Sequence, residues 1–296
     1  MRRVLLIQSK GRAPGATPGR WLTITLVLFL SACSTVEFLY SQADRLLSYT
    51  VNRYFDLTES QQVVLDDRVA VLMAWHRSEE LPDYVRFLMD ARVRLERGLR
   101  SDDLDWFADG LMLRYRRLAE RVGADAAVLM ASLDERQLEH CRAEFAARNE
   151  EWAAEWHLLD APAERAAWRK TRVLDVAEDW VGTLAGHQRE RIERAVELIP
   201  ADGVRLRWED RLRRQQGFLT LLAARREGAF AERLRDWLVQ WDRGRSPDYQ
   251  RYLDRLKQEA IATVLDVDRS LTPAQRAHLA GRVQSLIDPL AALTAQ

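Results

Sequence analysis

The stretch "FLYSQADRLLSYTVNRYFDLTESQ", residues 38 to 61, decides the fold class. Together with Val36, its residues Leu39, Tyr40, Ala43, Leu46, Leu47, Val51 and Tyr54 recur at intervals of three and four, while Asp44, Arg45, Asn52 and Arg53 fall off that stripe. Residues so spaced share one face of an α-helix, which predicts an amphipathic helix. Leu57-Thr58-Glu59-Ser60-Gln61 then starts another: Thr58 caps a free amide of the new helix, and Gln61 reaches back to the Thr58 amide. The same capping box is predicted at Leu133-Asp134-Glu135-Arg136-Gln137 and at Leu271-Thr272-Pro273-Ala274-Gln275. In the last copy Pro273 takes the first helical position, where its missing N–H is harmless. The copies lie 76 and then 138 residues apart, a spacing too unequal to mark a repeat protein.

Working outward, the helical period continues through the chain and no stretch alternates as a strand does. Helices are predicted over 35–55, 59–78, 82–98, 102–121, 124–131, 135–159, 163–199, 203–242, 247–268 and 273–292, with breaks at Pro82, Gly98 to Ser101, Gly123, Pro162, Pro200, Gly244 to Pro247 and Pro273. The two longest are expected to kink, near Gly182 to Gly186 and near Gly217 or Gly228. Only 13 glycines and 8 prolines punctuate the 296 residues, and 47% are hydrophobic, which excludes a disordered chain. The expectation is an all-α, elongated bundle of about ten helices with no sheet.

Residues 1 to 20 are basic, Trp21 to Leu30 are almost wholly apolar, and Leu30-Ser31-Ala32-Cys33 follows, the order of a secretory signal. Ending on Cys, the segment resembles the lipobox of bacterial lipoproteins. That resemblance implies a signal peptide over 1–32, diacylation at Cys33 and a periplasmic helical domain over 33–296. Two acyl chains anchor stably where one binds marginally. In the enteric lipoproteins Asp after the Cys favours retention in the inner membrane, so Ser34 implies the periplasmic face of the outer membrane, with the inner membrane as the alternative. Leu22 to Tyr40 holds a single charge, Glu37, so an uncleaved signal anchor is the competing reading. Ser34 and Thr35 span only about 7 Å, which keeps the domain close to its membrane.

The zero formal charge hides an asymmetry. Arg2, Arg3, Lys10, Arg12 and Arg20 precede residue 33 with no acid among them, leaving 40 basic against 45 acidic residues beyond it. A mildly acidic domain argues against nucleic acid as a partner. The basic residues are nearly all arginine, the side chain suited to bidentate recognition of phosphate or carboxylate.

Motifs for chemistry are missing. With Cys33 acylated, Cys141 is the one thiol left; it lies on the stripe Leu138, Cys141, Phe145, Trp152, Trp156 and Leu159 and reads as core. His76, His140, His157, His187 and His278 are scattered, with neither HExxH nor the ExxH pairs of di-iron bundles, so neither a metal nor any other cofactor is expected. No nucleophile elbow, P-loop or GxGxxG is present, and no enzyme is expected. The acidic pairs Asp102-Asp103, Glu150-Glu151 and Glu178-Asp179 splay apart on a helix and read as solvated faces.

The richest cluster is "LMAWHRSEELPDY", residues 72 to 84. It reads first as a helix terminus with a cationic last turn and a corner at Pro82. Its functional reading is a polar patch in which Trp75, His76, Arg77, Glu80 and Tyr84 contact a partner, or His76 and Arg77 an anionic ligand. The nine tryptophans after residue 33 are expected mainly to fill the core between long helices, with a minority lining a groove.

Two families enter through these motifs. "LTxxQ" at Leu57 to Gln61 and Leu271 to Gln275 is similar to the signature of Spy- and CpxP-like periplasmic chaperones, whose concave helical faces hold client chains. The lipobox, residues 38 to 61 and "AWHRSEELPDYVRFL" (74–88) resemble a family of uncharacterised proteobacterial lipoproteins known only as a domain of unknown function. The function expected is that of a membrane-anchored, non-enzymatic binding, scaffold or assembly factor for another envelope protein. A chaperone for periplasmic clients, a carrier of a hydrophobic ligand and, last, an envelope hydrolase are the alternatives.

Overall fold

A computed structural model of the chain describes residues 40–295, and every regular element among them is helical. The signal segment and Leu30, Ser31, Ala32 and Cys33 lie outside the described residues. In chain order the helices are α1 (Ala43–Phe55), α2 (Glu59–Trp75), α3 (Leu81–Arg97), α4 (Ser101–Ala131), α5 (Glu135–Glu155), α6 (Pro162–Val181), α7 (Gly186–Leu198), α8 (Gly203–Ala223), α9 (Phe230–Val239), α10 (Pro247–Arg269) and α11 (Pro273–Thr294). No described helix is long and apolar enough to cross a membrane.

Several boundaries differ from the sequence reading, each for a local reason. Pro82 makes no corner. A single π-helical turn, His76–Glu80, joins α2 to α3, and Pro82 falls in the first turn of α3, where no N–H is required. Gly123 does not end α4. A Cβ there would sit 3.4 Å from the Arg235 backbone, so this glycine admits α9 at close range. The two long predicted helices are broken rather than kinked: at Gly182, whose φ of 78° ends α6, and at Ala229, left-handed at φ 61°, before α9. None of the nine tryptophans is fully buried: eight are half-buried, Trp237 among them packed against the core, and Trp180 is exposed on a groove.

The helices form one four-helix pattern twice. In the first unit α1 packs on α2 and α5, and α2 packs on α4. In the second α6 packs on α7 and α11, and α7 packs on α10. Each unit carries an insertion after its second helix, and the insertions cross over. The first unit's α3 lies along α11 of the second, while α8 and α9 of the second lie on α5 and α4 of the first. Crossed insertions bury both units' apolar faces together and tie them into a single body.

A pair of glutamines marks the centre of each unit. In the first, Gln61 donates to the Gln137 carbonyl oxygen at 3.2 Å and to the Ser132 carbonyl, while Gln137 donates to Gln61 at 2.7 Å and to the Asp56 carbonyl. In the second, Gln188 donates to Gln275 at 3.1 Å and to the Ser270 carbonyl, while Gln275 donates to Gln188 at 2.9 Å and to the Thr183 carbonyl. Each of the four also accepts from the amide of its own N-cap residue, Thr58, Asp134, Ala185 or Thr272. Two helix starts are thereby stitched head to head, with orphan helix amides and buried side-chain amides satisfied at once.

The fourth copy of the motif, Leu184-Ala185-Gly186-His187-Gln188, escapes the sequence pattern because Ala185 has no oxygen to complete the box. Only the glutamine half survives, and that half makes the cross-contact. Ser132 and Ser270, each preceding the Leu of a box, hydrogen-bond back to Leu129 and Val267 and occupy matching places.

Candidate functional site

The three-helix face beside each glutamine pair is left open as an apolar groove. The first groove, about 620 Å³, runs between α1, α2 and α4; the second, about 430 Å³, runs between α6, α7 and α10. Counted from the paired elements, the walls correspond position by position. Leu47, Thr50, Val51 and Phe55 of α1 match Val173, Val176, Ala177 and Val181 of α6. Leu65, Val69 and Leu72 of α2 match Ile192, Val196 and Ile199. Leu118, Val122, Ala126 and Leu129 of α4 match Leu256, Ala260, Val264 and Val267 of α10.

The floors are buried, at Leu65, Val69 and Leu129 in one and Ile192 and Val196 in the other, but the lips are open to water. Leu47 is 40% exposed and its counterpart Val173 37%. Leu46 and Val64 on the first groove and Val176, Trp180 and Val264 on the second are likewise exposed. Contiguous apolar surface of this kind marks an interaction or ligand site more often than isolated exposed residues do.

The predicted cluster at 72–84 falls at one end of the first groove, and its members separate. His76 lines the groove, packed between Tyr40 and Tyr84, with its Nδ1 3.0 Å from the Tyr40 hydroxyl. Burial lowers its pKa, and it sits there as the neutral ring. Arg77 is exposed and stacks over the Tyr40 ring. Trp75 and Tyr84 are half-buried. Burial and the neighbouring Glu80 raise the Tyr84 pKa.

Glu80 does not belong to that surface. It is 0% exposed, and its carboxylate accepts from Arg117 at 2.5 Å, with Arg117 and Arg114 also reaching Asp83 at 3.3 and 2.8 Å. A buried carboxylate needs such partners, so Glu80 fixes the π turn against α4 and offers nothing to a partner. Among the described residues no three His, Cys, Asp or Glu side chains gather as metal ligands. Cys141 is fully buried in the core with Leu133, Leu138 and Leu222, and burial pushes its thiol up to about 12. Such a thiol is inert as a nucleophile.

The fold and these grooves define an all-helical protein built from two copies of one groove-bearing unit. The chain belongs to a family of unknown function, DUF6279, whose model matches residues 53–251. No curated protein and no solved structure matches it. The matched span holds the Gln61 pair whole and Gln188, but stops short of Gln275.

Proposed function

We propose that this protein is a lipoprotein, acylated at Cys33 and held at the periplasmic face of the outer membrane, that binds apolar segments of other envelope proteins without chemistry of its own. The observation that carries the reading is the pair of matched, open, aliphatic grooves. An enzyme site needs titratable groups converging on a reacting atom. These grooves instead present side chains suited to holding an apolar stripe of a helix or of an unfolded chain. Both have methyl-rich walls.

A client-holding role is favoured within this reading by the resemblance of the "LTxxQ" boxes to Spy- and CpxP-like chaperones. Suppression of the aggregation of reduced lysozyme by the chain from Ser34 onward tests it. We expect suppression that falls when Leu47→Asp and Val173→Asp are combined, since both positions are exposed lips whose change leaves the core intact. Undiminished suppression by the double variant would end the groove reading. The anchor is tested separately: Cys33→Ala is expected to abolish palmitate labelling and leave the precursor uncut.

A further inference from the structure

A second kind of site lies away from the grooves, in a cleft of about 400 Å³ between α5, α8, the end of α9 and the start of α10. Arg207, Arg211 and Arg214 of α8, at helical spacing, line it from one side. Each stacks on an indole: Arg207 at 4.6 Å over Trp156, Arg211 at 6.0 Å over Trp152, Arg214 at 4.4 Å over Trp237. Arg245 stacks at 4.1 Å over Trp241, which itself lines the cleft.

The charge of this cleft is unbalanced. None of these four arginines has an ion pair among the described residues, whereas other arginines of α8 do: Arg205 pairs with Asp202 and Glu209, and Arg213 with Asp210. Asp210 is the one acid lining the cleft, and Arg213 already engages it. Burial, reinforced by the charges of Arg213 and Arg245, lowers the Arg214 pKa, although Tyr115 and Asp210 act the other way. Arginine stays protonated regardless, so the cleft is a standing concentration of positive charge.

The geometry keeps the donors available. A guanidinium lying over a ring uses its face and leaves its in-plane N–H groups for oxygen acceptors. Arg211 gives its Nε to Asn149 at 2.7 Å, and Asn149 is held in turn by Gln215, so the side chain is braced. Arg214 gives one N–H to the Trp241 carbonyl. The Nε of Arg245 is buried with no hydrogen-bond partner among the described residues. Lining one cleft with three cations, and holding a fourth behind Trp241, is unfavourable unless an anion joins them.

We propose that this cleft binds the phosphate of a phosphorylated ligand, with the indoles providing a flat wall for the group that bears it. A free phosphorylated molecule and a phospholipid headgroup share this chemistry. Titration of inorganic pyrophosphate, followed by tryptophan fluorescence, is expected to give a saturable change. Combining Arg207→Gln with Arg211→Gln should weaken it at least about tenfold, the worth of one charge-assisted hydrogen bond. Arg205→Gln, on the same helix but paired outside the cleft, should leave it unchanged.

Flotation with phosphatidylcholine vesicles, with and without phosphatidic acid, separates the sources. Binding to phosphatidic acid vesicles that the double variant loses points to a headgroup; pyrophosphate binding alone points to a free ligand. Circular dichroism checks that the variants fold, and Arg207→Gln by itself, which removes no hydrogen bond, serves if the double variant does not. Binding of neither probe overturns the proposal, as does binding that the cleft variants and Arg205→Gln affect alike.

Discussion

The two units repeat a scaffold and vary what surrounds it. Both stitch two helix starts through a mutual glutamine pair, and both leave an apolar groove between three corresponding helices. Across the first groove Arg68 and Asp125 form an ion pair at 3.2 Å; the matching places in the second are Ala195 and Thr263. At the end of α2 the π turn carries His76 onward into α3, whereas Pro200 stops the chain after α7 and a turn leads to α8. The glutamine pairs are thus the constant, structural part. The groove ends and the insertions are where the units specialise, and only the second unit's insertion carries the arginine cleft.

The largest effect is expected from breaking a glutamine pair, and it should differ between units. Gln188 is 1% exposed, and its cap residue, Ala185, offers no oxygen to share the work. Gln188→Leu leaves the half-buried Ala185 amide without its acceptor and the Ser270 carbonyl without its Gln188 donor, and removes one of the Gln275 side chain's partners, at about 1–3 kcal/mol for each group left unpaired. We expect a total loss near 3 kcal/mol or more in urea unfolding. Gln61→Leu, at a half-exposed site with the Thr58 hydroxyl intact, should cost less, about 1–2 kcal/mol: buried Gln137 loses one partner but keeps the Asp56 carbonyl and the Asp134 amide. Equal costs would show that the pairs do not differ as described.

A smaller effect separates the units by pH. Burial lowers the His76 pKa below its ordinary 6.5, so the unfolded chain takes up a proton that the folded one refuses. The stability this provides is present above about pH 6.5 and declines as the pH falls through that value. Thermal unfolding followed from about pH 7.5 to about pH 5.5 should show a decline that His76→Phe reduces. The second unit has no histidine lining its groove, so Val173→Asp or any change there should leave that slope alone.

Much of this was legible from residues 38 to 61. The 3.6-residue stripe gives α1, and three of the four boxes announce themselves through Thr or Asp followed by Gln. The fourth was hidden because Ala185 lacks the signalling side chain, and with it went the pairing that turns four scattered motifs into two units. Pro82 and Gly123 were misread as breaks for one reason: a helix tolerates proline in a first turn and glycine at a close approach, and only the packing partner reveals which case applies. The stretch around Trp75 reads as a dense polar cluster, but whether a residue faces water or the interior is set by packing, and Glu80 belongs to the interior. A groove lined by a minority of tryptophans is expected, and Trp180 lines one, but the groove positions could not be read, since their walls use the same aliphatics that elsewhere fill the core. A search for helical stripes with one face too many, such as α1 with exposed Leu46 and Leu47, was the available signal.

The central claim is that duplication of the unit yields two separate apolar sites. Binding stoichiometry of the neutral probe N-phenyl-1-naphthylamine tests it most directly, measured with excess pyrophosphate present to occupy the arginine cleft. Two sites are expected for the unaltered chain, one each for Leu47→Asp and Val173→Asp, and none for the combination. The same stoichiometry in all four proteins, or loss of both sites from a single substitution, would contradict the claim.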